Sequence, residues 1–320
     1  MRVNGCVSAV LAGFAAVAIA QAPQQNLLTI KMPVEGTSSA MSAPSQRSAV
    51  VGRDRKLRIW DIADGRLLRT IALSTAEVDV TAISDDGRWI FIGDHAGTAT
   101  VWNAQTGAAQ LRRRLLHYAS SVAYTQDGKF IAIAPMGEPI QVFDLTSAKK
   151  LYQTGPVVGG TVALAFSRDG AKLATADADT AVRVYDARSG KQISENRDFH
   201  LEPLAVDFSS DGRQVVAGGG DKVLAVIDAA TGKLVRSLPR TDEPASSLKI
   251  SPDGTLVAVI LMKAENMMQP APVVQWEIAT GKEKSSWMPL ALALSIGWMR
   301  DGRLISASGE PGVVHFWRVP

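Results

Sequence analysis

The chain has one cysteine, Cys6, and four histidines in 320 residues. A single thiol excludes an intramolecular disulfide and every zinc or iron–sulfur pattern that needs several cysteines. Aromatic residues are few, at 6%, and no sign of charge dominates: 34 Lys plus Arg against 31 Asp plus Glu leave +3. So small an excess nominates neither nucleic acid nor an anionic membrane as partner. Long apolar runs are missing too; the one over residues 7–20 is too short to span a bilayer comfortably. Gly-x-Ser-x-Gly, Walker A, His-Glu-x-x-His and EF-hand patterns are all absent. What is present, 46% hydrophobic residues with Gly 27 and Pro 15, is the composition of a globular protein. Arg2 ahead of the apolar run and Ala20-Gln21-Ala22 behind it have the form of a secretory signal peptide over 1–22, which would remove Cys6 and direct the chain to the periplasm or outside the cell.

From residue 23 onward the sequence repeats. An aromatic or aliphatic residue followed by a polar one recurs at Trp60-Asp61, Trp102-Asn103, Phe143-Asp144, Tyr185-Asp186, Ile227-Asp228, Trp276-Glu277 and Trp317-Arg318, a period of about 42 residues. A second marker, Asp-Gly, recurs once per unit from Asp86-Gly87 to Asp301-Gly302, in step with the first except across the longer sixth unit, with Pro44-Ser45 in its place in the first unit. Within a unit, short apolar runs alternate with turn residues: Val162 to Phe166, then Lys172 to Ala176, Ala181 to Tyr185, and Gln192 to Glu195. Each unit therefore reads as four antiparallel strands, a to d. No unit of that size buries both faces alone, so the units must stack around an axis. The expected fold is all-β, a single seven-bladed β-propeller over 23–320. The seventh unit ends after its strand c, and the segment Asn26 to Met32 has the pattern of a strand d; pairing the two would close the ring and cover both edges.

Trp60-Asp61 and Ser251-Pro252-Asp253-Gly254 resemble the WD-repeat propeller family, and the fifth unit, Ser210-Asp211-Gly212-Arg213 through Thr231-Gly232-Lys233, is similar to the YVTN-type propeller repeat. The resemblance covers residues 24–320. The Gly-His dipeptide of WD repeats is absent, and its b–c turn aspartate survives only as Asp54, Asp179 and Asp221. Without those partners the WD family's buried Asp–His–Ser/Thr–Trp network is not expected, and packing between blades must hold the ring. Thr280-Gly281-Lys282-Glu283 with Trp287 partly resembles the tryptophan-docking motif of quinone-dependent propellers; it occurs once with the Trp one residue late, and Trp287 is read as strand-d packing.

Chemistry is sparse. Along strand a, the position expected to line the channel is small except at Asp207 and Lys249, which are one period apart and read as an ion pair. Arg112-Arg113-Arg114 reads as a solvated outer edge. The d–a and b–c loops share one rim, and adaptable or aromatic side chains there are the candidate contacts: Tyr118, Phe199, His200, Met267 and Met268. For Tyr118 and Phe199 the competing reading is that they fold inward over the blade tops. The resulting expectation is an exported, non-enzymatic scaffold, monomeric, with no cofactor, metal, nucleic acid or membrane span after processing, that binds a protein or peptide on its loop rim. The alternative is a hydrolase of the lactonase kind with its site in the central channel.

Overall fold

A computed structural model describes residues 25–31, 36–239, 241–262, 272–289, 292–310 and 313–318. They form seven four-stranded antiparallel sheets. Six have their strands in chain order; blade four, for example, runs Thr161–Phe166, Lys172–Asp177, Val182–Asp186 and Gln192–Asn196 as strands a to d. The seventh takes strands a to c from Leu292–Trp298, Leu304–Glu310 and Val313–Arg318, and its outer strand from Gln25–Lys31 at the other end of the chain. Thr29 pairs with His315 and Ile30 with Val314 in that ladder. The sequence thus anticipated both the strand count and the exchange of chain ends. Residues 1–24, including the expected signal peptide, lie outside the described residues.

The periodic markers are turn chemistry. In the a–b turn, Ser84, Thr125, Ser167, Ser209 and Ser251 each donate a side-chain hydroxyl to the aspartate two residues on, at 2.5–2.7 Å. The same Asp169 oxygen also accepts the Ala171 N–H at 3.0 Å, so one carboxylate organises both sides of the reversal. In the c–d turn the polar residue after the aromatic does the equivalent work: Asp186 accepts from the backbone N–H groups of Arg188 and Ser189 and from the Ser189 hydroxyl. The glycine that follows is needed twice over. Gly190 has φ +73°, and a Cβ there would lie 2.3 Å from the ring of Tyr152 on the outer strand of the preceding blade. Each outer strand leans on the next blade's turn.

The apolar side chains condense into seven clusters, one at each junction between successive blades. One of them joins Ile30, Met299, Ile305 and Phe316 of blade seven to Ala43, Val50 and Ile62 of blade one, closing the ring. Six of the strand-c marker residues belong to the junction with the preceding blade: Trp60, Trp102, Phe143, Tyr185, Ile227 and Trp276. Tyr152 and Trp287 are strand-d counterparts at their own junctions, as expected for Trp287. The indole N–H groups of Trp60 and Trp102 are buried with no hydrogen-bond acceptor, so these rings act by packing rather than through a WD-type polar network. Replacing Trp276 by Ala should cost about 3–5 kcal/mol, because the cavity opens between two rigid sheets that cannot collapse into it. Chemical denaturation measures that loss; a near-neutral result would remove Trp276 from the core.

Candidate functional site

The inner strands neighbour one another around the axis, with strand a of blade seven beside that of blade one. Blade six's b–c connection, which carries Met267 and Met268, lies outside the described residues. The described rim is built by straps. In blades three, four and five the d–a loop is tied to the b–c turn of the blade it enters: Met136 N–H donates to the Tyr118 carbonyl at 2.9 Å, Ala178 N–H to Gly160 at 3.0 Å, and Gly220 N–H to Glu202 at 3.0 Å. Side chains reinforce the backbone straps. Glu138 Oε1 accepts from Leu116 N–H and His117 N–H at 2.9 and 3.2 Å, and Asp221 Oδ2 accepts from His200 N–H at 3.3 Å. Glycine is required where two loops meet: Gly160 has φ +86°, and a Cβ on it would sit 2.7 Å from the Gly137 nitrogen.

These straps hold large aliphatic side chains out in solvent. Val158 is 82% exposed, Leu116 81% and Leu201 55%, and Met136 is exposed as well. All four stand in loops of one rim, across the junctions from blade two to blade five. The same loops border a cavity of about 310 Å³ lined by residues that include Asp79, Tyr118, Met136, Gly159, Thr161 and Glu202. Tyr118 is half-buried, and its ring stacks on His95 with centroids 5.9 Å apart and planes 10° apart. The imidazole Nδ1 lies 3.4 Å from Asp79 Oδ1.

The cavity floor rests on a buried ion network. Thr161 donates its hydroxyl to Asp177 Oδ1 at 2.6 Å, and the other Asp177 oxygen accepts from Thr175 Oγ1 at 2.8 Å and Arg183 Nη1 at 2.6 Å. Asp177 is 0% exposed. Burial pushes its carboxyl above the ordinary 3.8, against the pull of the two hydroxyls and the guanidinium. Arg183 continues to Asp179, with Nη1 2.9 Å from Oδ1 and Nη2 2.5 Å from Oδ2, and holds that carboxyl below its ordinary value. Asp54 and Arg58 make the equivalent two-bond pair in blade one, at 2.6 and 3.0 Å. Two of the three surviving b–c aspartates therefore bind arginine, and Asp221 binds the His200 backbone.

Of the expected contacts, Tyr118 lines the cavity and His200 is exposed on the same rim. Phe199 is not available there. It is 4% exposed in the junction core between blades four and five, because burying a ring between sheets outweighs leaving it beside solvent. Phe199 thus folds inward rather than onto the rim. Leu116, Val158 and Leu201 are not among the expected contacts, and their sequence signal is simple: an aliphatic residue in a d–a loop, two or three positions before a strand a.

At the opposite end of the inner strands, Asp207 and Lys249 form no ion pair. Asp207 instead accepts the Phe208 N–H and, across the junction, the Ile250 N–H, each at 3.0 Å, since a fixed amide 43 residues on meets the carboxylate before a mobile lysine does. The strand-a positions also understate the polarity of that end. Asp85, in the a–b turn, has its carboxyl raised by desolvation and by Asp207 and Asp86, while Lys249 and Arg300 partly offset this. Arg168 Nη1 donates across to the Pro252 carbonyl at 2.8 Å. On the outer edge, Arg113 is tied down rather than freely solvated: it bonds the Ala148 carbonyl at 2.9 Å and lies over the Phe143 ring at 5.2 Å, while Arg112 and Arg114 stay exposed. Among the described residues no group of three or more His, Cys, Asp or Glu could hold a metal ion.

Comparison with known proteins bears on the ring as a whole. The chain is 27% identical over 106 residues to the WD repeat-containing protein SL1-17 of Schistosoma mansoni, a match covering 32% of this chain and 34% of that relative. The propeller resemblance read from the sequence is supported; its narrower form, a WD or YVTN repeat in particular, is not. The family model described as outer membrane protein assembly factor BamB matches residues 53–287, most of the described blades, and the chain belongs to that β-propeller family.

Proposed function

We propose that this chain is an exported, non-enzymatic scaffold that binds a polypeptide on the rim formed by its d–a and b–c loops. The observation that carries the reading is the set of Leu116, Val158 and Leu201, held in solvent by strapped loops around one cavity. Isolated exposed aliphatics are ordinary, but several on one strapped surface beside a cavity are the composition of an interface core. The pattern from Arg2 to Ala22 supports export, and a family described by outer membrane protein assembly is in keeping with both an envelope location and protein binding. The mature chain then begins at Pro23, which N-terminal sequencing of the envelope fraction checks; recovery of Met1 from the cytoplasm contradicts it.

Binding is tested by changing Leu116, Val158 and Leu201 together to Ser. Exposed positions away from packed features shift stability by only about 0.5 kcal/mol each, so the melt should stay close to wild type. In native electrophoresis of the envelope fraction the wild-type chain should migrate in a complex and the triple variant as free protein. A complex unchanged by the triple substitution would remove the rim as the binding surface.

A further inference from the structure

The occupant of the rim can be specified more closely, on the basis of the docking reading above. The cavity of about 310 Å³ is at the small end of the roughly 300–1,000 Å³ range for ligand sites, suited to one side chain rather than a whole cofactor. None of its lining residues is Lys or Arg, whereas Asp79 of blade two and Glu202 ahead of blade five stand at the two ends of the lining. Asp79 is shared with His95 at 3.4 Å. The Glu202 carboxylate has no hydrogen-bond or ion-pair partner among the described residues, and its residue is half-buried. A cation placed beside a carboxylate at the edge of an apolar recess is attracted more strongly there than at an open surface. Between the two carboxylates the wall is Tyr118, Met136 and Val162, an apolar and aromatic surface against which the methylene stem of a long basic side chain packs.

We propose that this cavity receives a lysine or arginine side chain of the docked polypeptide. Its stem lies along Met136 and Tyr118, its charge meets Glu202, and aliphatic residues on either side of it rest on the loops that carry Leu116, Val158 and Leu201. The partner segment is thus a basic residue flanked by aliphatic ones. An acidic segment is excluded by repulsion from both carboxylates.

The test uses three capped pentapeptides, Ala-Leu-X-Leu-Ala with X as Lys, norleucine or Glu, titrated into the isotopically labelled mature chain and followed through its backbone amides. The Lys peptide should shift the amides of Tyr118, Gly159 and Glu202 and bind at least tenfold more tightly than the norleucine peptide, with the Glu peptide weakest. Added salt should narrow that difference. Glu202→Gln, with an unchanged melt, should abolish it. Equal binding of the Lys and norleucine peptides at these amides would overturn the cationic assignment while leaving the rim as a docking surface. Shifts confined to other surfaces, or none with any peptide, would also overturn it; the native-complex experiment above then decides separately whether docking itself survives.

Discussion

Deleting residues 25–31 should destabilise the whole ring by an amount on the order of 5 kcal/mol or more, far beyond what a seven-residue terminal segment ordinarily contributes. The segment supplies the outer strand of blade seven, with Gln25 to Lys31 laddered antiparallel to Val313–Arg318. A net contribution of about 0.5–1.5 kcal/mol per hydrogen bond adds to burial of Ile30, which sits at 3% exposure in the cluster that joins blade seven to blade one. Its loss uncovers a sheet edge and opens that junction at once, so the remaining blades lose the constraint that makes them a ring. Denaturant unfolding should show a lower midpoint and a broader transition. Moving the same seven residues behind Arg318 through a short turn, so that blade seven has the strand order of the other six, should restore both. A deletion variant with an unaltered midpoint would show that the ends do not close the molecule.

Arg183→Ala should cost about 3–5 kcal/mol near neutral pH, the range for removing one partner of a buried pair. It leaves Asp177 fully enclosed with only two hydroxyls, and it strips Asp179 of its main counter-charge. The penalty has a defined pH dependence. Asp177 is raised in the folded chain, so the carboxyl is more easily kept as the neutral acid, and stability linked to it is present at low pH and lost as pH rises through the folded value. Asp179 is lowered, so its contribution is present above the unfolded value near 3.8 and is lost as pH falls through the folded one. Both effects narrow the gap between wild type and Arg183→Ala in acid. Unfolding free energies measured at neutral pH and again below pH 4 should therefore converge; a gap independent of pH would mean that the network's charges contribute nothing beyond packing.

The fold was legible because its signals are local and repeated. Ser-x-Asp-Gly and the strand-c aromatic pair mark turns whose hydrogen bonds close within a few residues, so the periodicity of the sequence is the periodicity of the backbone. The site was less legible because it depends on which way a loop side chain faces. Phe199 and His200 are adjacent, yet one enters a junction core and the other stays in solvent. Asp177 reads as one more turn aspartate until Thr161, Thr175 and Arg183 are seen to converge on it from three strands. Asp207 and Lys249 have equivalent positions on adjacent blades, but equivalence of position did not include the Ile250 amide that captures the carboxylate.

A photo-activatable cross-linking residue placed singly at Val158 tests the rim most directly, with the same residue at Gln126 in the a–b turn of blade three as the control on the opposite face. Irradiation of intact cells should give a discrete protein adduct from position 158, lost when Leu116 and Leu201 are changed to Ser, and none from position 126. Adducts from position 126 with none from 158 would contradict the account and place the partner on the other end of the propeller.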